Sequence, residues 1–124
     1  MPLNRDQVTP PVLPEDIVPF PPAGGDVIVR GLLMTQRLAN DRIHAEERKP
    51  LEGESEVQAQ SRAGARIVTR LLAQAVVDEE GRPLFSEREW DVYGADPTAR
   101  GDVFRVFNVA MRLSGHDLDV VEKN

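Results

Sequence analysis

The spacing of apolar residues changes along the chain, and the changes divide it into segments. Residues 1–15 show no period at all and are rich in proline, from Pro2 through Pro10 and Pro11 to Pro14. Proline fixes φ and removes a backbone donor, so this reads as an extended, mobile arm without a helix, either a docking segment or an untethered terminus. Between residues 17 and 33 two β-prone runs, "IVPF" and "VIVRGLL", flank "PPAGGD". That pattern predicts a β-hairpin with Gly24 and Gly25 supplying the positive φ of the reversal, and Pro19 marks the first strand as an edge. A two-stranded ribbon is marginal alone and must lie against helices or a partner.

From Thr35 the spacing becomes helical. Thr35 is a candidate N-cap for "TQRLANDRIHAEERK", in which Leu38 and Ile43 offer the inward positions, and the helix should end before Pro50. Residues 50–54, "PLEGE", are a polar connector. A second, stronger helix follows: Ser55 and Gln58 form a capping box, and Ile67, Val68, Leu71, Leu72, Ala75 and Val76 make one apolar stripe. Arg62, Arg66 and Arg70 lie on another face, as a solvated surface or as a grip for an acidic partner. Gly64 inside this helix suggests a close helix crossing.

The stretch "VVDEEGRPLFSEREW" then stops the helix near Val77, turns through Gly81 and Pro83, and restarts at a second capping box, Ser86 and Glu89. Carboxylates past a helix C-terminus face the negative end of its dipole, so Asp78, Glu79 and Glu80 should sit in water or turn toward Arg82 and Arg88. Asp96 and Pro97 suit the start of a last helix over 97–114, with Val103, Phe104, Phe107, Ala110, Met111 and Leu113 apolar and Gly115 as its left-handed cap. The expected fold is mainly α: a small helical domain of three to four helices with a short N-terminal β-hairpin. Its core should rest chiefly on Phe85, Trp90 and Phe107. One domain over 16–118 is expected, with an acidic tail at 119–124.

Composition narrows the function classes. The chain has 124 residues, enough for one core, and a formal charge of −6, which opposes the electrostatic attraction on which nucleic-acid binding depends. It has no cysteine, hence no disulfide framework, and no long apolar run or signal-peptide layout. Neither nucleic acid nor membrane is an expected partner, and the cytoplasm is the expected compartment.

Candidate chemistry thins out on inspection. Counted as a calcium loop from Asp78, position six is Pro83 where glycine is required, although Glu89 stands at position twelve. His44 and His116 are far apart with no second ligand at metal-binding spacing. The "AGGD" segment is followed by a strand and lacks the lysine of a phosphate loop. The serines at 55, 61, 86 and 114 lack a nucleophile elbow, and no nucleophile, base and orienting group occur together. No enzyme, cofactor or metal is expected.

Taken as an ordered phrase, residues 71–115 resemble the tail assembly chaperones of long-tailed, siphovirus-type bacteriophages. The shared layout is a β-prone segment like "GGDVIVRGL", an arginine-rich helix, an apolar helix ending "VVDEEG", "LF" with a short acidic helix, and a last helix reading "VFRVFNVAMRLSG". The likeness extends over about residues 16–118 and departs at "YGADPTARGD", where relatives have a smoother alanine-rich helix start. It implies a non-catalytic late protein of the host cytoplasm that coats the helical tape measure protein, keeps it soluble, leaves as tail tube subunits polymerise, and is absent from the finished virion. It also implies a longer form, made by ribosomal frameshifting, that engages the major tail tube protein.

On that reading Val27, Val29 and Leu38 are the candidate contacts to the client or to neighbouring copies. Glu122-Lys123-Asn124 can be encoded by a slippery A-AAA-AAC heptamer. The nearest rival class is a head-to-tail connector or tail-completion protein; a small nucleic-acid regulator would need a basic recognition helix.

Overall fold

The computed structural model describes residues 2–9 and 12–115. The tail at 119–124, the frameshift triplet and His116 lie outside the described residues. Among those described, four α-helices and a three-stranded antiparallel sheet make a mixed α/β domain, where the apolar spacing implied a mainly α one. The strands are β1 (Glu15–Phe20), β2 (Gly25–Arg30) and β3 (Val76–Val77), and the helices are α1 (Met34–Glu47), α2 (Glu56–Ala75), α3 (Glu87–Ala95) and α4 (Arg100–Leu113). The arm carries a 3₁₀ turn at Arg5–Gln7 and buries nothing there.

The hairpin forms as its sequence predicts, with Glu15 opposite Arg30 and Phe20 opposite Gly25. Only Gly24 takes a positive φ, +87°; Gly25 is already the first residue of β2. Side chains alternate across a strand, so Val18 and Phe20 of β1 and Val27 and Val29 of β2 point to the same face, which α4 packs against. This overturns Val27 and Val29 as exposed contacts: they are 3% and 0% exposed. β2 is the central strand because β3 pairs with its far side, Val77 opposite Ile28 and Val76 opposite Val29.

β3 is also where α2 ends. Val76 and Val77 are β-branched and leave the helix for the sheet, so α2 stops two residues before the predicted end. The acidic stretch is a tight return. Asp78 accepts hydrogen bonds from the backbone N–H groups of Glu80 (2.8 Å) and Arg82 (2.9 Å), and Arg82 pairs with both Asp78 and Glu80. Those backbone donors, Arg82's foremost, hold the Asp78 carboxyl below its usual range. Gly81, at φ +82°, closes the loop, and Pro83 bridges back to Val77.

Both predicted capping boxes are present, Ser55 with Gln58 and Ser86 with Glu89. α1 starts earlier than expected: Leu33 occupies the cap position and its N–H donates to the Gln36 side chain. α4 starts later, at Arg100. The Asp96 carboxylate binds Thr98 through both its N–H and its hydroxyl, forming a separate turn that ends α3, and Ala99 is the residue that leads into α4. Gly115, at φ +91°, ends α4 as predicted.

The centre of the core is aromatic. Trp90 and Phe20 are fully buried with ring centroids 5.4 Å apart, and Phe85 and Tyr93 pack edge-on around them. Phe107 is only half-buried and packs on the rim, so its place as a main core residue goes to Phe20 and Val106. Ser114 ties the ends together: its buried hydroxyl donates to the Ala110 carbonyl (2.7 Å) and accepts the Leu32 N–H (2.9 Å).

Candidate functional site

α1 is turned inside out relative to an ordinary surface helix. Its inward stripe is Gln36, Arg37, Asn40, His44 and Glu47, all polar and spaced at three and four residues. Its apolar residues Met34, Leu38 and Ile43 are 76%, 60% and 43% exposed, so Leu38 and Ile43 do not face inward as predicted. Leu38 remains a candidate contact surface, well apart in burial from Val27 and Val29.

Polar contacts therefore join α1 to α2. Asn40 and Gln74 share a side-chain hydrogen bond of 2.7 Å, and Glu47 pairs with Arg70 at 2.7 Å and with Arg66 at 3.6 Å. Arg62 grips Glu54 at 2.8 Å. The three arginines of α2 are thus neither a free solvated face nor an open grip for an acidic partner; each is held by a carboxylate of the same chain.

The Glu54 pair carries a pH signature. Arg62's guanidinium, helped by the Leu51 N–H, pulls the Glu54 carboxyl from its ordinary 4.5 down to about 2. The folded pKa lies below the unfolded one, so the stabilisation is complete above about pH 4.5 and fades as pH falls toward 2. Urea midpoints measured between pH 6 and 2 are expected to fall further for the wild type than for Glu54→Gln, with the two converging at the acid end.

An open apolar cleft of about 500 Å³ lies between α2, α3 and α4. Gly64 and Val68 of α2, Trp90 and Gly94 of α3, and Val103 and Phe104 of α4 line it. Asp91 and Arg100 add one charge of each sign to its lining, and Phe104 is 47% exposed. The expected close helix crossing at Gly64 is absent: a Cβ built there meets nothing within 4 Å, and the same holds at Gly94.

This makes Gly64 informative. Its φ is not positive and no neighbour crowds it, so the fold does not demand glycine, yet glycine in a helix interior is less stable than alanine by about 1 kcal/mol. Gly64→Ala is expected to raise stability by about 1 kcal/mol. Calorimetry should show a Tm increase of roughly 3 to 6 °C at this chain length. The cleft was invisible in the sequence because a helix glycine reads as a weak point and the walls come from three separate helices.

Among the described residues no three His, Asp or Glu side chains converge as a metal site, and no helix is long and apolar enough to cross a membrane. No family model matches this chain, and neither do any of the curated proteins or solved structures compared with it.

Proposed function

We propose that this chain is a tail assembly chaperone of a long-tailed bacteriophage, which binds the tape measure protein, keeps it soluble in the host cytoplasm and departs as the tube polymerises. The observation that carries this reading is the open apolar cleft between α2, α3 and α4, whose walls fall within the phrase of residues on which the resemblance is strongest, apart from Gly64, Ala65, Val68 and Thr69 of α2. An amphipathic client helix needs an apolar groove with a polar rim, and a groove floored by glycine admits a close backbone. Small, shallow contacts also suit a chaperone that must let its client go. A longer form extended by frameshifting past Asn124 would engage the major tail tube protein; the codons of Glu122, Lys123 and Asn124 test that part, since any choice breaking the A-AAA-AAC heptamer rejects it.

Co-expression with a phage tape measure protein from the same genome tests the reading as a whole. The expected result is soluble tape measure protein that is retained on the tagged chain and lost with Gly64→Leu, which fills the cleft. A tape measure protein that stays insoluble sinks the proposal. Finding the chain in purified virions by mass spectrometry would favour a connector or tail-completion role instead.

A further inference from the structure

A second apolar surface lies partly covered by α1. Leu32, Ile67, Leu71, Phe107 and Met111 line a cavity of about 200 Å³ there, and the helix that covers it contributes Arg37, Asn40 and Asp41. The cover is chemically mismatched to what it covers. It buries a single residue, Asn40, while Met34 and Leu38 project into solvent. Arg37 Nε and His44 Nδ1, closed off from water, have no hydrogen-bond partner among the described residues. What holds α1 in place is the polar set already described, Asn40 to Gln74 and Glu47 to Arg70 and Arg66. Few buried apolar contacts and dependence on a handful of polar ones mark an element that opens well below the free energy of global unfolding.

We propose that α1 is a displaceable cover and that the strip of Leu32, Ile67, Leu71, Phe107 and Met111 is a second docking site, for an amphipathic helix that carries carboxylates beside its apolar stripe. The charge requirement follows from what α1 takes with it. When α1 leaves, Glu47 is withdrawn from Arg70, whose side chain is 10% exposed, and from Arg66. Arg66 keeps Glu87 of α3 within 4.0 Å, but Arg70 is left without a carboxylate beside the apolar strip, and an incoming helix must replace Glu47 or leave a buried arginine unpaired. An acidic-flanked helix does this; a basic one adds like charge. The incoming apolar side chains also fill the cavity that α1's polar face leaves empty. The site uses a different side of α2 from the open cleft and does not depend on the tail assembly reading.

The chain lacks cysteine, so one engineered pair can lock the cover. Asn40 and Gln74 meet only at their side-chain ends, 2.7 Å apart, so in Asn40→Cys/Gln74→Cys a short reducible bis-methanethiosulfonate linker spans the two thiols in the oxidised form. The probes are a labelled synthetic helix with leucines at i, i+3, i+4 and i+7 flanked by glutamates, and the same helix with lysines in place of the glutamates. The glutamate peptide is expected to bind the reduced variant at least as tightly as the wild type, because the Asn40–Gln74 contact that holds α1 is gone, and to bind the oxidised variant at least about tenfold more weakly than the reduced one. The lysine peptide is expected to bind the wild type at least about tenfold more weakly than the glutamate peptide. Equal binding to oxidised and reduced protein, as for a peptide seated only in the open cleft, overturns the proposal, and so does equal binding of the two peptides. Should the variant misfold, hydrogen exchange on the wild type decides: α1 amides are expected to exchange at least about a hundredfold faster than those of α2 and α4, and equal protection overturns the cover. Neither probe derives from a tape measure protein, so the result stands whichever way the co-expression falls.

Discussion

Trp90→Ala is expected to destabilise the protein by about 3 to 5 kcal/mol, the range for truncating a fully buried large aromatic. Trp90 is 0% exposed and lies at the middle of a four-ring cluster, 5.4 Å from Phe20 and 5.3 Å from Phe85 between ring centroids. Its loss removes both the buried area and the edge-on pairing with Phe85, and the surrounding helices and strands cannot close over a void of that size. A natural domain of this kind has roughly 5 to 15 kcal/mol in total, so the variant should be close to unfolding at 37 °C. Urea denaturation followed by circular dichroism measures the loss. A change below about 1 kcal/mol would mean that the aromatic cluster is not the centre of the core.

The second large effect is expected where the sequence shows nothing unusual. Gly31 follows β2 and leads toward α1, and its φ is not positive. The reason for glycine is the neighbour: an added Cβ would collide with the backbone carbonyl of Leu113 at the end of α4, and would press on Pro14 Cγ at 3.2 Å. Backbone cannot move aside as a side-chain tip can. Gly31→Ala must therefore push α4 away from the strand, disturbing the Leu32 N–H to Ser114 hydroxyl bond and the burial of Ala110 and Val106 beside it. We expect a loss of about 3 kcal/mol, at the upper end of overpacking effects, read as a lowered urea midpoint. Set beside Gly64→Ala, which should stabilise, the pair separates a glycine the fold requires from one it does not.

Much of the framework was legible in the chain because its signals are local. The two capping boxes, the Gly24 reversal and the Gly115 stop each depend on residues within a few positions of one another, and each appears where it was read. What failed was information carried by distant partners. Val76 and Val77 continue the apolar stripe of α2 in sequence, and only the presence of β2 across from them turns them into a strand. Val27 and Val29 looked available because nothing in a hairpin says which face will be covered. The polar face of α1 was misread for a related reason: periodicity assigns apolar residues to the inside, whereas Arg66, Arg70 and Gln74 of α2 select Glu47 and Asn40 instead. Of the predicted contact residues, Leu38 alone is exposed. The apolar cleft itself comes from three helices meeting, and no window of sequence contains it.

Hydrogen exchange of the chain with and without a bound tape measure helix tests most directly whether a helical client occupies the cleft between α2, α3 and α4. Slowed exchange is expected, concentrated at 64–69, 90–95 and 100–104. A stable complex that leaves those three segments unchanged would contradict that occupancy.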